Sequence, residues 1–175
     1  MWARRSWSLF SVLVAIGGLT CFVYIYRAFA LHQISYQQAA RALTPPSGWI
    51  RTRGFAWDPG SRGEGWRPRS GHGGLNLEFM PTIATVEQIL NSRDYVDGQR
   101  RGTTLSQSHS ILVCGNLPAY ERSWQSPIPH NVVAHGTAVH AVIRGMYYWL
   151  SYIYPGAETS SDRAGLAALT SLCGV

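Results

Sequence analysis

His130, His135 and His140 stand five residues apart, and imidazole is both a metal ligand and an acid–base catalyst. A step of five turns a side chain by about 140° around a helix and moves it to the other face of a strand. Neither element therefore brings the three rings together as metal ligands. On a helix, however, His140 and Arg144 would share one face, where they could contact an anion, a lipid head group or a partner's carboxylate. The spacing predicts such a contact and no metal site.

Motifs for nucleophilic catalysis and nucleotide binding are missing from the sequence. It contains no G-x-S-x-G, H-E-x-x-H or C-x-x-C. The glycine-rich run 60–65 lacks the G-x-G-x-x-G order and follows no predicted strand. Cys114 has no base near it in sequence, and the 9 carboxylates form no evident pair. We therefore predict a protein that is not an enzyme and has no cofactor, although a bound lipid is compatible with it.

The composition combines few charges with many apolar residues. Charged residues make up 14% of the chain, against about 25% in soluble domains. All 15 basic residues are arginine, and the net charge is +6. Arg4, Arg5 and Arg27 belong to the first thirty residues, which contain no acid, so the remainder is only mildly basic. This distribution argues against a nucleic-acid partner.

The N-terminal segment has no charge from Ser6 to Tyr26. As a helix it would reach about 30 Å, the thickness of the hydrocarbon core of a bilayer. Gly17 and Gly18 offer a flat patch against which another helix could pack. The apolar core, residues 9–26, exceeds the roughly 7–15 residues of a signal peptide, so an uncleaved anchor is expected.

Residues 44–80 are rich in glycine, proline and arginine and show no helical or strand period. Large aromatic and arginine side chains often carry the binding energy of protein interfaces. We therefore predict an extended arm that contacts a partner. The predicted contact residues are Trp49, Trp57, Trp66 and Arg67.

Residues 81–175 are predicted to be mostly helical. Thr85 and Gln88 can form a capping box at the start of a short helix. The apolar run 131–154 suits a buried or interfacial helix, with a second membrane crossing as the alternative. A last helix is expected over roughly 162–172, after a cap at Ser160-Ser161. A disulfide between Cys114 and Cys173 is left open.

The predicted fold class is therefore mainly α with much irregular structure, organised around one N-terminal transmembrane helix. The divisions of the chain are an N-terminal flank (1–7), the transmembrane helix with an extramembrane extension (8–43), the extended arm (44–80) and the small helical region (81–175). The membrane orientation is left open.

The first thirty residues resemble the MWFE accessory subunits of respiratory complex I. The likeness rests on Met1-Trp2, a single apolar helix, and the stretch Tyr24-Ile25-Tyr26-Arg27 at its end. Members of that family are much shorter, and their later arginine-rich stretch has no clear counterpart here. The resemblance implies a structural subunit of a membrane arm, without a redox centre.

The predicted function is that of a non-catalytic accessory subunit of a large energy-transducing membrane complex, either complex I, which is favoured, or ATP synthase. Its predicted partners are other subunits and lipids, with Arg27 as a further lipid or anion contact. The predicted location is the mitochondrial inner membrane, with thylakoid and bacterial inner membranes as alternatives.

Two other functions stay open at this stage. One is a signal-anchored enzyme or binding domain of the secretory pathway or periplasm, which requires residues 44–175 to fold alone. The other is a pigment- or haem-associated membrane subunit with His32 as the ligand.

Overall fold

A computed structural model describes residues 14–24, 35–56, 60–69, 71–97 and 103–173, of which residues 93–97 are described by their backbone alone. The chain divides into two compact units, residues 1–33 and residues 34–175. In the first unit, residues 14–24 form a helix, α1. A Cβ atom added at Gly17 or Gly18 would meet no atom within 4 Å.

Across these described ranges, no helix has both the length and the apolar character needed to cross a membrane. The prediction of a single-pass protein anchored by residues 8–43 is corrected accordingly. The predicted location in the mitochondrial inner membrane rested on that anchor and is wrong with it. The predicted function as an accessory subunit of a respiratory or ATP-synthesising complex depended on the same anchor, and it is wrong as well.

The described residues of the second unit form one antiparallel sheet of eight strands. The strands are β1 (Ile50–Arg53), β2 (Arg62–Arg67), β3 (Gly74–Pro81), β4 (Thr104–Leu105), β5 (His109–Val113), β6 (Leu117–Ile128), β7 (Val132–Ile143) and β8 (Met146–Pro155). Their order is β1-β2-β3-β8-β7-β6-β4, and β5 also pairs with β6. The helices are α2 (Tyr36–Ala39), α3 (Val86–Asp97) and α4 (Ser160–Ala168), with 3-10 turns at Pro129–Asn131 and Leu169–Ser171.

The predicted fold class, mainly α with much irregular structure, is therefore wrong. The run 131–154, predicted as a helix, contains strand β7 and nearly all of β8. Both strands are rich in β-branched and aromatic residues, which fit a pleated sheet. Arg144 and Gly145 join them as a two-residue turn with φ values of 50° and 72°. Two positive φ values are typical of a hairpin turn, but arginine is an unusual residue at the first position.

The region 44–80, predicted as an extended arm, contains β1, β2 and nearly all of β3. Its glycines let two pieces of backbone lie in contact. A Cβ atom at Gly63 would overlap the carbonyl oxygen of Phe55, and one at Gly65 would lie 2.6 Å from Thr52 Oγ1. The Phe55 amide donates to Asn76 Oδ1 at 2.7 Å. This hydrogen bond holds the segment that follows β1 against β3. The glycine-rich composition thus reflects close packing.

One face of the sheet, here called the core face, carries most of the apolar core. Residues opposite each other on neighbouring strands share a face, and β3 and β8 place three such pairs there. The pairs are Leu75 with Tyr152, Leu77 with Leu150, and Phe79 with Tyr148, and all six side chains are at most 2% exposed. Buried residues from around α2 and from the C-terminal turn belong to the same core: Ala39, Ala42, Leu43, Leu169 and Leu172.

Two helix starts follow the rules of local capping. Thr85 and Gln88 form the predicted capping box, because the Thr85 amide donates to Gln88 Oε1 at 2.9 Å and the Gln88 amide donates to Thr85 Oγ1 at 3.3 Å. The last helix begins at Ser160, two residues before the predicted start, and its cap is Thr159. Asp162 completes that second box by accepting a hydrogen bond from the Thr159 amide at 2.7 Å.

Asp162 is a buried carboxylate that joins α4 to the sheet, since it also accepts a hydrogen bond from the Tyr152 hydroxyl at 2.7 Å. Burial alone raises the pKa of Asp162, but the hydrogen bonds from Thr159 and Tyr152 outweigh it and hold that pKa below its ordinary value. Ionisation therefore favours the folded state. This contribution is present above pH of about 4 and is lost as the pH falls through the folded pKa.

Replacement of Asp162 by asparagine is expected to remove the pH-dependent contribution of this carboxylate to the free energy of unfolding. The stability difference between wild type and Asp162→Asn should be largest near neutral pH and should shrink between about pH 5 and pH 2. Urea unfolding at a series of pH values measures it. A difference that stays constant over that range would show that the carboxylate charge is not what matters.

Cys114 and Cys173 form a disulfide, the bond that the sequence left open. It joins the turn between β5 and β6 to the C-terminal end of the described chain. Two backbone hydrogen bonds accompany it: the Cys114 amide donates to Thr170 O at 3.1 Å, and the Cys173 amide donates to Ala42 O at 2.7 Å. The last turn is thereby held against the core.

Candidate functional site

An open groove of about 1430 Å³ lies between α2 with its following loop and the β1–β2 end of the sheet. Its floor includes Trp66 and Phe79, which are 7% and 2% exposed. Among the described residues, its walls carry four arginines, Arg41, Arg51, Arg53 and Arg62, and one acidic residue, Glu64. The volume of the groove exceeds the roughly 300–1,000 Å³ that is typical of small-molecule pockets.

Strand alternation explains why the arginines gather at this site. Side chains at alternate positions of a strand share a face, and so do residues paired across two strands. Arg51 pairs with Trp66, and Arg53 pairs with Glu64. Arg62 pairs with Phe79 on the other side of β2. All of these side chains therefore lie on the core face. At the β1–β2 end of the sheet, this face is open to solvent.

The described residues that line the groove carry a net charge of +3 at neutral pH, because four arginines are present with one glutamate. The four arginines are exposed, whereas Glu64 is partly buried. Within the described part of the chain, neither Arg41 nor Arg53 forms an ion pair. Side chains that line a groove with charge mainly of one sign raise the local concentration of ions of opposite sign. The groove is therefore expected to attract anions.

Arg51 and Glu64 already show the contact that this surface can make. Arg51 Nε lies 2.8 Å from Glu64 Oε2, and Arg51 Nη2 lies 2.6 Å from Oε1. This is a two-point pairing of guanidinium with carboxylate, the geometry that gives arginine its preference for carboxylates and phosphates. The hydrogen bond to Glu64, and then its negative charge, raise the pKa of Arg51.

Arg62 is held in place by an aromatic ring. Its guanidinium carbon lies 4.6 Å from the centre of the Tyr36 ring, a cation–π contact. The Tyr36 hydroxyl donates to Gly60 O at 3.3 Å, and its ring contacts Phe79 with 6.1 Å between centroids. The contact limits the number of positions that Arg62 takes. An oriented guanidinium loses less conformational entropy when a ligand binds.

His140 and Arg144 do not form the predicted shared face. His140 lies in β7 and Arg144 lies in the turn that follows, so the helical spacing does not apply. His140 is 5% exposed, with Nδ1 2.7 Å from the Tyr147 hydroxyl and its ring stacked on Trp149. His135 lies on the opposite face and stacks on Tyr154.

The residues predicted to contact a partner occupy different surroundings. Trp49 is half-buried, and its ring centroid lies 5.8 Å from that of Tyr152. Trp66 forms part of the groove floor, and Arg67 is exposed at the end of β2. Trp57 and Arg27 lie outside the described residues. A partner contact at these positions stays a prediction.

The groove arginines were not among the candidates that the sequence suggested. The signal for them is the alternation Arg51-x-Arg53 in one strand and Arg62-x-Glu64 in the next. With a two-residue period, each pair lies on one face of its strand. Gly63 within the second stretch and Gly65 after it hid the strand pattern.

No family model and no curated protein matches the sequence. Among solved structures, the chain is similar to cyanobacterial PsbP (CyanoP) from Synechocystis sp. PCC 6803, with a TM-score of 0.48 and 16% sequence identity. The match covers 72% of this chain and 83% of that chain. The function is therefore inferred from the groove itself.

Proposed function

We propose that residues 34–175 form a binding domain whose arginine-lined groove holds an acidic segment of a partner protein. The observation that carries this proposal is the charge of the described groove residues, four exposed arginines and one glutamate above a buried aromatic floor. Arginine and aromatic side chains are enriched at protein interfaces. Arg51, Arg53, Arg62 and Glu64 come from strands, so their positions are largely preformed, and Arg41 comes from the loop after α2.

The charge pattern supports a carboxylate-bearing ligand with more than one acidic group. Arg51 already forms an ion pair with Glu64 of the same chain. Arg41 and Arg53, on opposite walls, have no carboxylate partner among the described residues. An acidic segment that lies along the groove would reach both walls. Isolated exposed ion pairs contribute little, so several simultaneous contacts are needed for useful affinity.

The width of the groove supports a polypeptide ligand. At about 1430 Å³ it is open along its length, whereas small-molecule sites bury most of their ligand. An extended segment buries its side chains along such a groove without needing an enclosed cavity. The disulfide supports a working environment that is oxidising, because disulfides persist there and are rare in reducing compartments.

Poly-L-glutamate is a suitable probe of the proposal. Arg53→Glu is expected to weaken its binding about tenfold at low salt, because one attractive charge becomes a repulsive one. Binding by the wild type should also weaken as salt is raised, since exposed charges are screened. Fluorescence anisotropy of labelled poly-L-glutamate measures both effects.

Arg69→Glu is the matched control for that measurement. Arg69 is exposed and does not line the groove, and its replacement changes the net charge by the same amount. It is expected to weaken binding much less than Arg53→Glu does, because a charge that does not line the groove forms no ion pair with a ligand bound there. Equal losses in the two variants would show that only the total charge matters, and the proposal would fail.

A further inference from the structure

We infer that the acidic segment binds as an additional strand along the outer edge of β1, an inference that rests on the function proposed above. β1 is the first strand in the sheet order and pairs with β2 on one side only. Among the described residues, no other strand pairs with its second side. A strand in this position can receive an extended peptide, with main-chain hydrogen bonds supplying affinity and alternate side chains supplying specificity.

The backbone of β1 supplies the hydrogen-bonding groups. In an antiparallel pair, alternate residues direct their N–H and C=O groups towards the partner strand and the others direct them away. Two of the four residues Ile50–Arg53 therefore present these groups outwards. All four positions of β1 are exposed or intermediate in exposure, so the outer edge is accessible.

The side chains of β1 select the sequence of the added strand. Arg51 and Arg53 lie on the groove side, about 6.6–6.8 Å apart along the strand. Acidic residues at alternate positions of a neighbouring strand match this spacing, because directly opposed residues lie on the same face. Ile50, which is 41% exposed, lies on the other face and suits apolar residues between the acidic ones. The inferred ligand thus alternates acidic and uncharged residues.

Charge excludes a second copy of this chain as the added strand. Pairing β1 with β1 of another copy would bring two arginines from each strand to one edge. Like charges directly opposite each other are destabilising in sheets, and charged edge strands commonly prevent such self-pairing. An acidic strand removes that repulsion. Arg62, beyond the end of β1 on the neighbouring strand, extends the basic surface along the path of the ligand.

The inference is tested with the peptide Glu-Thr-Glu-Val-Glu-Thr-Glu and two N-methylated forms of it. One form is methylated on the two inner glutamates, and the other on the two threonines. In an extended peptide these two sets of amides point to opposite edges. One methylated form is therefore expected to bind about tenfold more weakly than the parent, while the other binds within about twofold. Calorimetric titration of the full chain measures the three affinities.

Hydrogen exchange and a control peptide complete the test. The parent peptide should slow amide exchange within β1, and a peptide of the same composition with its four glutamates contiguous should bind more weakly. Equal binding by both methylated forms, or unchanged exchange in β1, would overturn strand addition.

The outcomes separate this inference from the proposed function. If both methylated forms bind equally and Arg53→Glu still weakens binding, the groove proposal stands and strand addition is wrong. If Arg53→Glu and Arg69→Glu weaken the parent peptide equally, both are wrong. Preferential binding of a single-stranded oligonucleotide over the parent peptide would also overturn both.

Discussion

Replacement of Cys114 and Cys173 by alanine is expected to lower the free energy of unfolding by about 4 kcal/mol. The two cysteines are 59 residues apart in sequence, so their bond removes many conformations from the unfolded chain. In the folded state the bond holds a turn that carries Leu169 and Leu172, which are 1% and 0% exposed and belong to the main core. Urea unfolding of the double variant measures the loss as a lower midpoint.

Cys21 provides the matched control for this prediction. It is an exposed free cysteine in the first unit. Cys21→Ser should change stability by less than about 0.5 kcal/mol, as is usual for surface substitutions. Addition of a reductant to the wild type should reproduce the loss seen in the double variant. An unchanged midpoint in both cases would show that the bond does not stabilise the domain.

Gly165→Ala is expected to destabilise the protein by about 1–3 kcal/mol, the usual cost of overpacking a core. The sign of this change is informative, because replacing glycine by alanine within a helix ordinarily stabilises the helix by roughly 1 kcal/mol. Gly165 lies in α4 directly against the ring of Tyr152, and a Cβ atom there would overlap that ring. Tyr152 is 0% exposed and its hydroxyl donates to Asp162, so the ring cannot move away easily.

A double-mutant cycle assigns this effect to the contact between the two residues. Tyr152→Leu removes the part of the ring that the new methyl group would meet. Gly165→Ala should therefore cost less in the Tyr152→Leu background than in the wild type, with a coupling of about 1 kcal/mol or more. Thermal or urea unfolding of the four proteins measures it. Additive effects would show that Tyr152 does not set the distance between helix and sheet.

The features that could be predicted from the sequence are local ones. The capping box of Thr85 with Gln88 and a helix near the C-terminus depend on residues within a few positions of one another. Such features need no knowledge of the partner strands.

The strands β7 and β8 were hidden because both faces of the sheet are covered in this region. Val139, His140 and Ala141 are 0%, 5% and 0% exposed, although they alternate between the two faces. When both faces are buried, a strand loses the alternation of apolar and polar residues and reads as a continuous apolar run. Such a run cannot be distinguished from a buried helix by its periodicity.

The groove could not be predicted because it depends on pairing between distant segments. Arg53 and Glu64 become neighbours only through the register of β1 and β2. Arg41 joins them from the loop after α2. The glycines of β2, which make the close packing of that register feasible, are the same residues that made the segment look irregular in sequence.

The groove proposal is tested most directly by NMR of the arginine side chains during titration with the peptide Glu-Thr-Glu-Val-Glu-Thr-Glu. The Nε–Hε signals of the four groove residues Arg41, Arg51, Arg53 and Arg62 should shift together and saturate at one peptide per chain. The signals of Arg69 and Arg163, exposed residues that do not line the groove, should stay in place. Shifts spread evenly over all the arginines, or confined to residues outside the groove, would contradict the proposal.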